Sequence, residues 1–538
     1  MKRSIILLCL ATLLTLFITT PAKACTSLLV TKEASSDGST LITYAADSHT
    51  LYGSLSYIPA TKNLPGTMID IFDWESGKYL GKIPQARDTY QVVGNINEFQ
   101  VAIGETTFGG RPELVDPEGV IDYGSLIRIT LQRSKTAREA VQIMGRLTEQ
   151  YGYASTGESF SISDPKEAWI MEMIGKGPKN KGAVWVALRI PDGYVSAYAN
   201  QSRITTLPLN DPLNCLYSKD VITFAKEKGY FKGEDKDFSF QAAYDPLDFE
   251  GLRLCDARVW SLFRRISPSL NISPEFIKGD KNAAPLPIWI KPDRKLSARD
   301  AMELMRDHYE GTELDMTKDI GAGPFALPYR WSPKTWEYNG DVYFHERAIS
   351  TQQTGFSVVA QSRAWLPDPI GGILWFGVDD TYSTVYVPIY CSVNKVPEAF
   401  SDGSGSFNKF SWESAFWVFN AVSNLAYSRY SDIIPEIQTL QRELEGSFAS
   451  EIPEVDKKAL SLYKKTPQAA RDYLTDYSCR QGQMTMEKWE NLWQTLFVKY
   501  MDGNVRDEKG KVQHPPYSEN WYKAIVDSTG DRYKVQEE

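Results

Sequence analysis

The chain has 538 residues with 59 Lys and Arg against 68 Asp and Glu, a net charge of −9. That balance argues against nucleic acid or an anionic membrane as the main partner. Hydrophobic residues make up 42% and charged residues 24%, as in an ordinary soluble globular protein, and the length allows two to four domain-sized units or one large elaborated domain.

The N-terminus reads as an export signal. A basic "MKR" precedes the apolar "SIILLCLATLLTLFITT", and small residues stand at −3 and −1 of a cut after Ala24. The expected location is therefore periplasmic or extracellular, with no integral membrane segment once the signal is removed. A cysteine directly after the cut also fits a bacterial lipoprotein. Against a lipid anchor stand Ala22 rather than Leu at −3 and the charged Lys23 at −2.

Beyond Cys25 the sequence alternates short apolar or β-branched runs with a few helical segments. Strands are expected in "CTSLLVT", "TLITYAA", "QVAIGETTF", "EAWIMEMIG", "AVWVALRI" and "YVSAYAN", and later in "FSVVAQSRAWLP", "GILWFGV" and "TVYVPIYCSV". Many are apolar on both faces, which fits sheets covered by other layers. Helices are expected from a capping Ser134 to Gly152, and from Ser297, at capping-box spacing from Asp300, to Gly311. After "SDGSGSFN" the pattern turns helical, with Phe416, Phe419, Val422 and Ala426 at helical spacing. Strands in clusters together with helices indicate an α+β protein. The expected organisation is a signal over 1–24, a core with insertions over 25–400 and a helical C-terminal extension over 401–538 packed on the core.

Cys9 lies in the signal, leaving Cys25, Cys215, Cys255, Cys391 and Cys479, an odd number. Two bridges are one reading, with 215–255 and 391–479 the first pairings to test; four buried free thiols are the other. No phosphate loop or metal-ligand cluster is visible, so neither a metal nor a cofactor is expected.

Removal of Ala24 would leave Cys25 with both a thiol and a free α-amine. An α-amine titrates near roughly 7.7–8.0, so it can accept the thiol proton without a histidine. The alternative base is His345, one of four histidines with His49, His308 and His514.

The run "CTSLLVTKEASSDGSTLITYAADSHT" is followed in order by "NINEFQVAIGETTFGG", "YGYASTGESFSISDPKEAWIMEMIGKG", "WVALRIPDGYVSAYANQSRI" and "ERAISTQQTGFSVVAQSRAWLPDPIGGILWFGVDDTYSTVYVPIY". In that order these segments resemble the peptidase C69 dipeptidases, which belong to the N-terminal nucleophile hydrolases with bile salt hydrolases and penicillin V acylases. The resemblance implies a four-layer αββα core, two antiparallel sheets stacked between helices, with the nucleophile at the start of a central strand. It also implies site residues: Cys25 as nucleophile, Asp47 beside its α-amine, Asn200 as an oxyanion donor, and Arg347 near the nucleophile. Thr106 aligns loosely with a second oxyanion contributor. Where many relatives carry an Arg three residues before the aspartate this chain has Tyr44, so the charge would come from Arg347 or Arg203, or specificity differs. Glu98, Glu105, Glu158 and Glu172 are candidates to bind a substrate ammonium.

The expected activity is hydrolysis of dipeptides. A related N-acyl amidase and a lipid-anchored, non-catalytic binding protein are the alternatives, and a homo-oligomer is left open.

Overall fold

The computed structural model describes residues 25–280 and 282–536; the expected signal over 1–24 lies outside the described residues. Two antiparallel sheets organise the chain. The first has seven strands, with Ser27–Val30 and Thr40–Asp47 side by side near its middle. Val195–Tyr198 flanks the former, and Thr354–Ser362, Ile373–Val378 and Val387–Tyr390 follow the latter. The second has eight strands, with Ala102–Gly109, Gly157–Ser163, Ala168–Gly175 and Ala183–Arg189 as its long members.

The sheets stack face to face. Ser27–Val30 and Thr40–Asp47 pack against Ala102–Gly109 and Gly157–Ser163. Every residue of Thr40–Asp47 is buried, so the strand has no solvent face, as its continuous apolar pattern requires. The approach is close at Gly104, where a Cβ would stand 2.9 Å from that of Tyr44. A side chain there would force the layers apart.

Helices cover both outer faces. Tyr123–Leu131 and Ala137–Tyr151 lie on the second sheet. The longer one is amphipathic, burying Ala137, Ala140, Val141, Met144 and Leu147 at helical spacing. Its N-cap is Thr136 rather than the expected Ser134, with the Thr136 hydroxyl accepting from the Glu139 N–H at 3.1 Å. Ser134 instead donates to the Thr130 carbonyl. The capping box of Ser297 with Asp300 forms as expected, but that helix stops at Leu304 rather than running on to Gly311. Arg306 and Asp307, immediately beyond, are held in buried contacts with other elements.

Ala415–Tyr427, Tyr430–Tyr463 and Pro467–Tyr500 form a helical C-terminal region against the first sheet. Phe419 stacks on Trp489 with ring centroids 4.8 Å apart. Two buried ion pairs fix the registry of this region on the sheet. Arg363 pairs with Asp456, which also accepts from the Tyr390 hydroxyl, and Arg306 pairs with Glu445 at 2.6 Å. No helix among the described residues is long and apolar enough to cross a membrane.

The five described cysteines are all free, so neither expected bridge is formed. Cys391 donates to the Asp368 carbonyl and Cys479 to that of Lys395, so each thiol has its own separate partner.

Glu445→Ala would leave the buried Arg306 with only the more exposed Glu303 as an ionic partner. Breaking a buried pair outright costs about 3–5 kcal/mol, so a loss of up to that size should appear as a lower urea midpoint. A Glu445→Leu, Arg306→Met double substitution should recover most of it.

Candidate active site

Register brings the expected residues together. Ser27 pairs with Tyr198 and Thr26 bridges to Ala45, so Cys25 lies beside Asn200 on one flank and near Asp47 on the other. Cys25 opens the strand at an end of the first sheet, facing the second sheet. Its thiol donates to Glu105 Oε1 at 3.8 Å, and the Tyr44 hydroxyl donates to the same oxygen at 2.5 Å. A cavity of about 190 Å³ opens on the sulfur and is lined by Tyr44, Asp47, Leu51, Trp74, Glu105 and Tyr123 among others.

Asp47 ends its strand fully buried. Its Oδ2 accepts from Arg347 at 2.5 Å and its Oδ1 from the Thr354 hydroxyl at 2.6 Å. Thr354 stands opposite Asp47 across the sheet. Burial raises the carboxyl, while Arg347 and Thr354 pull it back toward ionisation.

Arg258 is the residue that sequence reasoning missed. Its guanidinium is buried and uses all five N–H groups. Nη1 donates to the Cys25 carbonyl at 2.6 Å and the Thr26 hydroxyl at 2.8 Å. Nη2 donates to the Ala199 carbonyl at 3.0 Å and Asn200 Oδ1 at 2.9 Å, and Nε to the Leu254 carbonyl at 2.9 Å. No sequence signal separates Arg258 from Arg264 and Arg265 on the same helix.

Asn200 adopts a left-handed backbone at φ 61°. Its N–H donates to the Thr106 hydroxyl at 3.3 Å, and its Nδ2 donates to the Thr107 carbonyl at 2.7 Å. With Oδ1 held by Arg258, the carboxamide has one orientation and one amide hydrogen remaining. Thr106 thus acts by holding the Asn200 backbone.

Other candidates lie elsewhere. Arg203 turns to the Ala197 and Pro287 carbonyls and to Asp256. Of the two arginines considered, Arg347 is therefore the one beside Asp47. His345 binds Ser332 and packs on Trp336, and among the described residues no histidine lines the Cys25 cavity. Glu98 pairs with Arg471 of the C-terminal region, and Glu158 accepts from Thr107 at 2.9 Å. Glu172 accepts from the Ser202 hydroxyl and from the N–H groups of Arg203 and Ile204. It shapes the loop after Asn200 and leaves no face for a substrate.

The Cys25 thiol is held well above the usual range. Burial is the main cause, the negative charges of Glu105 and Asp47 add to it, and a backbone hydrogen bond from Asp47 acts the other way.

Cys25 and Asp47 line one small cavity, with the Arg347 guanidinium on Asp47 and the oriented Asn200 carboxamide beside Cys25, an arrangement that makes this a candidate active site. The family is settled by comparison. The model of peptidase family C69 matches residues 24–64 and 55–443, and the chain belongs to that family, which makes it a hydrolase of peptide bonds. It is similar to a probable dipeptidase of Latilactobacillus sakei, 27% identical over 84% of this chain and 87% of that protein. A probable dipeptidase B of Streptococcus pyogenes serotype M1 is 22% identical over 90% of this chain and 94% of its own length. A probable dipeptidase of Salmonella dublin is 26% identical over 68% and 81%.

Two measurements test this electrostatic picture. Glu105→Gln removes a charge that opposes the thiolate, so iodoacetamide should label Cys25 faster at pH 8, read by peptide mass; an unchanged rate would exclude the coupling. Burial raises Glu172 from the ordinary 4.5 to about 7. A value raised on folding contributes stability that is complete below about pH 4.5 and is lost as pH rises through about 7. Glu172→Gln should flatten that fall in the unfolding midpoint.

Proposed function

We propose that this chain is an exported cysteine-type dipeptidase whose mature form begins at Cys25. The observation that carries the reading is the position of Cys25: it heads a central strand, beside Asp47 and Asn200, with no imidazole lining its cavity. In the full chain the Cys25 nitrogen is a peptide amide and cannot act as a base. Cleavage after Ala24 turns it into an amine. The charges of Asp47, Glu105 and Glu158 oppose a thiolate, and the same charges favour an ammonium. Transfer of the thiol proton to the new amine therefore puts a positive charge where the site is most negative.

The thiolate then attacks the carbonyl carbon of the substrate amide, and the oxygen takes up the negative charge. The remaining Nδ2 hydrogen of Asn200, oriented through Arg258, donates to that oxyanion. The ammonium returns its proton to the leaving nitrogen as the C–N bond breaks, giving a thioester and a free amine. Water, deprotonated by the same amine, adds to the thioester, and Cys25 is released as the second amino acid leaves. Asp47 is a positioning residue for the amine, held by Arg347 and Thr354. No cofactor takes part in these steps.

The layer order of helix, sheet, sheet, helix supports assigning residues 25–400 to an N-terminal nucleophile hydrolase core. Residues 401–538 are then a helical extension on it. The names of the similar proteins support dipeptides as substrates.

Two experiments test the mechanism together. Mass analysis of the exported protein should give Cys25 as the first residue with an unmodified amine. Cys25→Ser and an Ala24→Asp variant that blocks cleavage should each lose dipeptide hydrolysis by about 10³-fold or more, the scale on which an essential nucleophile acts. Full activity in either variant, or an acylated Cys25 amine, would overturn the proposal.

A further inference from the structure

The Cys25 cavity has a neighbour. Tyr44, Leu51, Trp74 and Tyr123 line both it and a second chamber of about 220 Å³. From the shared Tyr44 an aromatic wall extends along that chamber. The Tyr44 ring meets Phe356 edge-on at 5.5 Å, and Phe356 stacks on Phe376 at 5.8 Å. Ile58 and Ile127 add to an apolar lining able to hold a large side chain.

The chamber also contains a cation. Arg128 lines it from the last turn of the helix Tyr123–Leu131. The Arg128 side chain makes no hydrogen bond or ion pair with the described residues, in contrast to Arg258, Arg347 and Arg363. A guanidinium at the end of a helix complements the helix dipole, which explains its charge there but not its place in a substrate-sized chamber. Asp402 lines the chamber as well, and its Oδ1 is taken by the Ser54 hydroxyl at 2.7 Å.

An apolar wall with an unpaired guanidinium matches one part of a dipeptide. The C-terminal residue alone combines a side chain with a free carboxylate, and guanidinium forks bind carboxylates in two-point fashion. We propose that this chamber is the binding site for the leaving residue of the substrate. A large apolar side chain lies on the wall of Tyr44, Phe356 and Phe376, with its carboxylate on Arg128. The preferred substrates are then dipeptides with an aromatic or large aliphatic C-terminal residue and a free C-terminus. Tyr44 lines both the nucleophile's cavity and this specificity chamber. The proposal rests on the dipeptidase reading given above.

The test compares Ala–Phe, Phe–Ala and Ala–Phe amide as substrates of the mature enzyme. The expected order is Ala–Phe best, with Phe–Ala and the amide both poorer. Arg128→Met should raise the KM for Ala–Phe by about tenfold or more, the scale of one charge-assisted hydrogen bond, with kcat less affected. Hydrolysis of the amide should change little between wild type and Arg128→Met, and Arg128→Lys should restore part of the Ala–Phe preference. Trp74→Ala, at a half-exposed residue on the shared wall, should lower the ratio of Ala–Phe to Ala–Gly hydrolysis. Equal effects of Arg128→Met on acid and amide, or a preference for Phe–Ala, would overturn the assignment. Calorimetric binding of Ala–Phe to Cys25→Ala, with and without Arg128→Met, reads the chamber without turnover. If no dipeptide is hydrolysed yet binding still depends on Arg128, the catalytic reading fails and the chamber assignment stands. If hydrolysis depends on Cys25 but neither binding nor KM depends on Arg128, the chamber assignment alone fails.

Discussion

The buried guanidinium of Arg258 ties together two of the chain segments that meet at the candidate site. It donates to the carbonyls of Cys25 and Ala199, to the Thr26 hydroxyl and to Asn200 Oδ1, while its Nε is anchored within its own helix. Strand ends are where backbone carbonyls lose their ladder partners, and a buried orphan carbonyl is costly. Here the strand ends carrying Cys25 and Asn200 converge on one cation that satisfies both and fixes the carboxamide as it does so. A lysine in that place would have only three donors and no planar fork.

Arg258 has the positive charge of Arg347 nearby, and burial with that charge lowers its affinity for the proton. The carboxylate of Asp47 offsets both cations. The two guanidinium groups are thus balanced at Asp47, while Glu105, Asp47 and Glu158 act on the sulfur. In such a low-dielectric cluster the sign of one added charge decides which protonation states are favoured. An amide at residue 25 adds none, whereas an amine adds a positive charge beside the acids that oppose the thiolate. On the proposed reading, the cleavage that creates the amine completes this balance.

Much of the fold was legible because sheet burial leaves a strong mark. Thr40–Asp47, Ala168–Gly175 and Ile373–Val378 are apolar on both faces because helices and a second sheet cover them. The strand Gly157–Ser163 was not among those expected. Its "GESFSIS" carries Glu and Ser at four of seven positions, yet every residue is buried, since the first sheet covers one face and the helix Ala137–Tyr151 the other. The helix Tyr123–Leu131 was also not among those expected, although its N-cap Asp122 accepts from the Gly124 and Ser125 N–H groups as well as from that of Trp74. The cysteine spacings allowed bridges, but which thiols meet is a tertiary fact, and these do not.

By itself the sequence determined the α+β class and the helical C-terminal region, and its family resemblance put forward Cys25, Asp47, Asn200 and Arg347 as candidates, because short-range pattern and ordered motifs are written along the chain. Only the tertiary structure decided which charges face one another. Arg347 rather than Arg203 meets Asp47, Glu172 supports a loop, and Tyr44 reaches across to Glu105. Arg258 comes 233 residues after the carbonyl it holds. Such pairings depend on the register and stacking of the sheets, and single-residue identity carries no trace of them.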